Sequence, residues 1–270
     1  MSGYAPSWLA LREPADAAAR AADLLDPLRA ALPPGPLLLW DVGCGTGSLA
    51  RWLAPRLPGP QHWILHDSDP ALLAEARVSA PHETRQGTIA DLRAADLAGA
   101  SLVAASALLD ILTYAELDSL AAAVTGAGVP ALLTLSVVGR VRLTPSDPLD
   151  AEIGAAFNDH QRRDGLLGPD AVAAAAEALG RRGAALSTRP SPWRLGPARG
   201  ELAATWLRGW VTAAVEQRPD LAPAAAGYLR RRLTAGLHVE VQHADLLAIP
   251  GETPIWGRTP MPGTVGEDGP

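Results

Sequence analysis

The chain reads Leu37-Leu38-Leu39-Trp40-Asp41-Val42-Gly43-Cys44-Gly45-Thr46-Gly47-Ser48-Leu49-Ala50 over one short segment. An apolar run meets an acid, crosses three glycines at alternate positions and resumes as a helical sequence. Glycine turns sharply and admits a ligand to the backbone without an intervening Cβ. A parallel strand that ends in such a turn and opens a helix is where open α/β sheets take nucleotide-like ligands. No other segment constrains the fold as strongly.

Spacing narrows the ligand. A dinucleotide fingerprint, G-x-G-x-x-G, counted from Gly43 puts Ser48 where the third glycine belongs. Counted from Gly45, Ala50 satisfies the relaxed form that ends in alanine, so a dinucleotide stays open at this point. The fuller pattern is D-x-G-x-G-x-G, starting at Asp41.

Around this loop, apolar and helical stretches alternate, which predicts a parallel sheet with crossover helices. Strands are expected over 37–42, 62–66, 84–89, 101–105, within 129–138, and over 184–188 and 237–243. Helices are expected over 48–54, from Pro70, and over 116–124, 151–160, 169–179, 199–216 and 221–233. Residues 7–32 carry Asp16, Arg20 and Asp23 at helical spacing, before Pro33-Pro34-Gly35-Pro36 breaks the chain. The expected organisation is a helical N-terminal segment over 1–34, positioned to act as a lid, a core with helical insertions over 35–250, and an irregular Pro/Gly/Thr-rich tail over 251–270.

Composition excludes several classes. No run of about 18 apolar residues marks a membrane span. The N-terminus lacks the basic and apolar regions of a signal peptide. The lone Cys44 forms no internal disulfide and fits a reducing cytoplasm. All basic residues are arginine, and the net charge of −6 argues against a nucleic-acid partner, because such proteins carry a basic surplus. Arg230-Arg231-Arg232 reads as a solvated helix face.

The D-x-G-x-G-x-G segment resembles motif I of the class I S-adenosylmethionine-dependent methyltransferases. The resemblance covers roughly residues 37–138 by motif and extends to about 247 by element order. It implies a Rossmann-like, seven-stranded, mostly parallel sheet with helices on both faces and an antiparallel strand near the end. It also implies S-adenosylmethionine as cofactor, with Asp41 beneath the loop and Gly43, Cys44, Gly45 and Gly47 against the methionine end. Asp67, at the end of the second strand and about 20 residues past the loop, is placed to accept from ribose hydroxyls, with Ser68 beside it. Asp69 reads as the N-cap of a helix opened by Pro70. Asp91 and Leu92 take the adenine position in the series, and Ser106 borders the methionine end.

The substrate side is less constrained. Asp110 either faces the acceptor or caps the next helix. The stretch 106–110 departs from the N/D-P-P-Y/F signature, which removes support for DNA and glutamine acceptors. A hydroxyl nucleophile would need a base, and His160, in the excursion after the fifth strand, is the candidate. His66 should turn to the opposite sheet face from Asp67, and no motif recommends His238 or His243. No metal-ligating set is assigned. Eight tryptophans stand against one phenylalanine. Trp206 and Trp210 share a helix face, and with Trp8 and Trp193 they either pack the core or line an aromatic pocket for a small substrate. Arg12 or Arg20 is placed to approach the cofactor carboxylate. The expected activity is methyl transfer to a small organic molecule, with no membrane partner. The alternatives are a protein that binds the cofactor without transfer and a nicotinamide-dependent oxidoreductase.

Overall fold

The computed structural model describes residues 5–234 and 236–251. Its strands are β1 Leu37–Val42, β2 Gln61–Asp67, β3 His82–Gln86, β4 Leu102–Ser106, β5 Ala131–Thr144, β6 Ala185–Pro190, β7 Trp193–Leu195 and β8 His238–Ile249. They form one sheet in the order β3-β2-β1-β4-β5-β8-β6, with β7 also on β8. The first five strands pair in parallel, and β8 runs antiparallel to β5, β6 and β7. Strand order reverses at β1, between β2 and β4. The crevice above these carboxyl ends is a topological switch point, where open α/β sheets bind ligands.

The helices are α1 Pro6–Ala19, α2 Leu25–Ala31, α3 Ser48–Leu53, α4 Pro70–Glu75, α5 Tyr114–Ala127, α6 Asp150–Gln161, α7 Ala171–Gly180, α8 Gly200–Gln217 and α9 Ala222–Thr234. Leu39, Leu65 and Leu102 pack toward α2 and α3 on one sheet face. Trp40, Ile64, Val103 and Leu133 pack toward α5 and α7 on the other. Burial on both faces explains why these strands read as near-continuous apolar runs. A third cluster joins α1, α6, α8 and α9 to β7 and the far ends of β5 and β8, centred on Ile153, Trp193, Leu207, Trp210 and Tyr228.

The structure departs from the expected elements at several places, β3 and β8 among them, with β3 over 82–86 and β8 running on to Ile249. The sheet has eight strands, because Trp193–Leu195 adds a short one between prolines that masked it. The N-terminal helix is broken after Ala19, and a 3-10 turn leads into α2. Helix α5 starts earlier than expected, since Thr113 and Glu116 form a capping box that fixes its first turn. Strand β5 runs on to Thr144 through register shifts between Leu133 and Ser136 and between Val137 and Val141. The expected tail over 251–270 lies outside the described residues apart from Gly251. No described helix is long and apolar enough to cross a membrane.

Two buried carboxylates hold the strand ends. Asp245 on β8 accepts from the Leu135 amide at 2.7 Å, the Ala21 amide at 2.8 Å and the Ser191 hydroxyl. Leu135 sits at φ +56°, a left-handed conformation costly for a residue with a branched side chain. The bond to Asp245 supplies the amide partner that this kink would otherwise lack. At the end of β1, the fully buried Asp41 accepts from the Ala50 amide at 3.2 Å, tying strand to helix α3. Burial pushes the Asp41 carboxyl up to about 7, against the opposing effects of the Ala50 amide and the Arg20 charge.

Asp245→Ala should destabilise the fold by on the order of 3 kcal/mol, because three donors lose their acceptor at once. Urea unfolding measures it, and a loss below about 1 kcal/mol would contradict this role. Asp41 gives a pH signature. Its native pKa lies above the unfolded value near 3.8, so the folded chain keeps a proton that the unfolded chain releases. The stabilisation is complete below about pH 4 and declines as pH rises to about 7, by about 4 kcal/mol at ~1.4 kcal/mol per unit. Relative to Asp41→Asn, the wild type should lose that amount across this window; parallel stability curves would refute the assignment.

Candidate active site

The glycine loop leaves β1 with Gly43, Gly45 and Gly47 at φ +65°, +54° and +89°. All three lie in the region that an L side chain rarely adopts. At Gly47 a Cβ would also fall 2.7 Å from the Arg77 carbonyl oxygen, so the turn has no room for one. The Cys44 amide donates to the His66 carbonyl at 3.0 Å, and the Gly45 amide donates to Asp67 Oδ2 at 2.8 Å. The Arg51 guanidinium bonds the carbonyls of Thr46 and Arg77 and makes a bidentate pair with Glu13 of α1, at 2.6 and 2.8 Å. Loop and N-terminal helix are thereby fastened together.

Above the loop lies a cavity of about 710 Å³ that crosses the switch point. Asp41, Gly43, Cys44, Gly45, Asp67, Ser68 and Ser106 all border it, as does His66. Gly47 shapes the turn behind this wall without bordering the cavity. The Asp67 carboxylate takes the Gly45 amide on one oxygen and the Asp69 amide, at 3.0 Å, on the other. Two carboxylate oxygens carry about four lone-pair sites, so both can still accept from a ligand. Asp69 caps α4 by accepting from the Ala71 amide at 2.8 Å, as its spacing predicts. His66 packs against the Trp40 ring, on the sheet face of Trp40 and Ile64 as alternation predicts, and it borders the same cavity as Asp67 because that cavity spans the strand ends. Burial pushes its pKa down.

Asp91 and Leu92 do not border the cavity. Strand β3 stops at Gln86, three residues before the expected end, so Gly87, Thr88 and Ile89 reach the wall instead. Asp91 is exposed and accepts from the Thr88 hydroxyl at 2.6 Å, whereas Leu92 is buried in the hydrophobic core.

Arg20 is the residue with most to offer a ligand. Its side chain is 5% exposed as a residue and lies on the cavity wall, next to the break that follows α1. Nη2 donates to Ser48 Oγ at 3.3 Å and to Ser106 Oγ at 3.2 Å. Nε and Nη1 are buried and have no partner among the described residues. Burial lowers its pKa, opposed first by Asp16, but a guanidinium keeps its charge in a protein. A buried cation with two unused donors on the cavity wall is a receptor for an anionic group.

A second cavity of about 130 Å³ adjoins the first, with Arg12 and Ala107 on the walls of both. Trp8, Phe157, Trp193 and Trp206 face it, together with Asp110, Gln161 and His243. Trp210 stacks behind Trp206 at 5.3 Å and belongs to the core. Asp110 lies in a single 3-10 turn after β4, Leu109–Ile111, and its Oδ1 is enclosed without a partner. Burial raises its pKa, against its own amide and the charge of Arg12.

His160 does not border either cavity. It bonds Glu216 of α8 at 3.0 Å and touches Arg163, while Phe157 and Gln161, one turn apart on α6, point into the pocket. The histidine that does face the pocket is His243. It sits on β8 opposite Val137, 5.4 Å from the Trp193 ring, and burial followed by the Arg12 charge pushes it down to about 3. No local motif marks it, since only the strand pairing brings it to the site.

Comparison with known proteins agrees with this architecture. A family model described as "Methyltransferase domain" matches residues 40–128. The biotin biosynthesis bifunctional protein BioCD of Bordetella avium is 51% identical over 49 residues, which are 18% of this chain and 10% of that protein. A solved structure from Anabaena variabilis, described as a candidate methyltransferase from an antibiotic biosynthesis pathway, superposes with a TM-score of 0.51 at 12% identity. It covers 86% of this chain and 99% of the other, which shows a shared fold. The Haemonchus contortus phosphoethanolamine N-methyltransferase 2, solved with S-adenosyl-L-methionine, is 14% identical with a TM-score of 0.41, covering 86% of this chain and 53% of that one. Residues 40–128 thus match the model of a methyltransferase domain, and the mostly parallel sheet around them has the fold of the Anabaena variabilis structure.

Proposed function

We propose that the chain binds S-adenosylmethionine in the larger cavity and transfers its methyl group to a small organic molecule in the smaller one. The observation that carries this reading is Arg20, whose two buried, unused donors lie on the Ser48 and Ser106 side of the glycine loop. They suit the methionine carboxylate. Across the loop, Asp67 suits the two ribose hydroxyls, and Thr88 and Ile89 border the place left for adenine. Cation and acid are thus set at the two ends of one cavity, as a ligand with a carboxylate at one end and a nucleoside at the other requires.

When bound, the cofactor supplies a sulfonium methyl that is open to in-line displacement. The protein's part is to hold the acceptor against that methyl and exclude water. Ala107, on the wall of both cavities, marks where the two reactants meet. The N-terminal segment over 5–34 acts as a cover over the core that follows it: Leu9, Arg12 and Asp16 of α1 border the larger cavity, and Glu13 latches onto Arg51. The 130 Å³ of the second cavity supports a small acceptor.

Calorimetry with S-adenosylmethionine, S-adenosylhomocysteine and NAD tests the reading. Binding of the first two without NAD is expected; NAD binding alone would overturn it. Asp67→Ala should weaken S-adenosylmethionine binding by about 1.5–3 kcal/mol, as when hydrogen bonds at a charged group are lost. Unchanged affinity would remove Asp67 from the ribose site. Turnover with methyl-labelled cofactor over a panel of acceptors separates an enzyme from a protein that only binds the cofactor.

A further inference from the structure

We infer that the acceptor is an amine on a small flat frame, recognised in the smaller cavity by Asp110 within an aromatic wall. The inference rests on the methyl-transfer reading above and adds the acceptor atom to it. Three buried polar atoms at this cavity lack partners among the described residues: Asp110 Oδ1, Gln161 Oε1 and His243 Nδ1. Leaving a buried polar atom unpaired is unfavourable. Asp110 Oδ1 and Gln161 Oε1 accept, and His243 Nδ1 accepts in its Nε2–H tautomer, so together they describe a ligand that brings hydrogen-bond donors. An amine brings two N–H groups on one atom, whereas a hydroxyl brings one.

The surrounding side chains are flat. Trp8 and Trp193 come from α1 and β7, Phe157 and Trp206 from α6 and α8. Their faces sandwich a ring and attract the positive charge that develops on an attacking nitrogen. About 130 Å³ holds roughly one ring with a short substituent.

The charges nearby also select nitrogen. Arg12 is held in a bidentate pair with Asp16, at 3.0 and 3.3 Å, and lies 4.9 Å over the Trp193 ring. Its cation opposes an ammonium and favours the neutral, nucleophilic amine. A hydroxyl is a poor nucleophile until its proton is lost, and both Asp110 and His243, the latter pushed down to about 3, are far weaker bases than an alkoxide. An amine attacks with its own lone pair. The N–C bond forms as the S–C bond breaks, and the electron pair of that bond leaves with the thioether. The nitrogen becomes positive, and one of its protons passes to the Asp110 carboxylate. The products are the methylated neutral amine, the thioether and a protonated Asp110, so atoms and charge balance. Arg140, exposed at the rim, faces solvent and is not part of this exchange.

The test uses the full chain loaded with S-adenosylhomocysteine, titrated with aniline and benzylamine and with the matched phenol and benzyl alcohol. Quenching of indole fluorescence reports binding, because three tryptophans face the cavity. The amines should bind at least 10-fold more tightly than their hydroxyl counterparts. Asp110→Asn should abolish that preference while S-adenosylhomocysteine affinity, which reports an intact fold, stays within about 3-fold. With methyl-labelled cofactor, label should appear on the amine and fall at least 100-fold in the variant. Equal or tighter binding of the hydroxyl probes, or an amine preference that survives Asp110→Asn, overturns the inference. Failure of the chain to load S-adenosylhomocysteine counts instead against the cofactor reading on which the inference rests.

Discussion

The site depends on Asp245, a carboxylate that touches no cavity. Its oxygens gather the amide of Leu135 from β5, the hydroxyl of Ser191 from the loop between β6 and β7, and the amide of Ala21 from the break after α1. Each of these segments then delivers a wall residue. Leu135 lines the smaller cavity, Ser191 is followed by Trp193, and Ala21 is preceded by Arg20. Such an acceptor in a dry interior is worth more than its individual bonds, because any donor left behind would be stranded. Burial alone pushes the Asp245 carboxyl up, and the three donors counter that drift. The carboxylate therefore works as a jig that sets α1, β5 and β7 against one another.

Around this frame the charges are sorted by depth. Asp41, fully buried beneath the loop, is raised far enough to hold a proton near neutrality, while Asp67 at the rim has backbone amides on both oxygens. Arg20 stands between Asp16, Asp41 and Asp245, each of which favours its charged form. These acids offset part of the cost of burying the Arg20 guanidinium.

The nucleotide half of the molecule was legible because its information is local. The D-x-G-x-G-x-G run, the acid ending the next strand and the Asp69-Pro70 cap are each contained within a few residues, and the structure places them at one crevice. The wall residues expected at Asp91 and Leu92 fall instead at Gly87, Thr88 and Ile89, because β3 is short and polar and its end carries little hydrophobic signal. The acceptor half was poorly legible. His243, Trp193 and Gln161 reach the smaller cavity through β8, β7 and α6, elements distant in sequence whose meeting depends on register shifts in β5. His160 stood out by residue type, but one position along a helix is a rotation of about 100°, enough to turn it onto Glu216. The aromatic count hinted at a pocket, and only the fold sorted Trp206 from Trp210.

Helix α1 borders both cavities through one side chain, Arg12, and is latched to the glycine loop through Glu13 and Arg51. The freedom of a single fourteen-residue rod is thus shared by two sites. A molecule that settles against the rod from either side quiets its motion for the other. The second arrival meets a surface already ordered, and by thermodynamic reciprocity the coupling is the same whichever comes first. Any ligand that contacts α1 in one cavity is therefore linked to the other cavity through Arg12 and to the glycine loop through the Glu13–Arg51 pair.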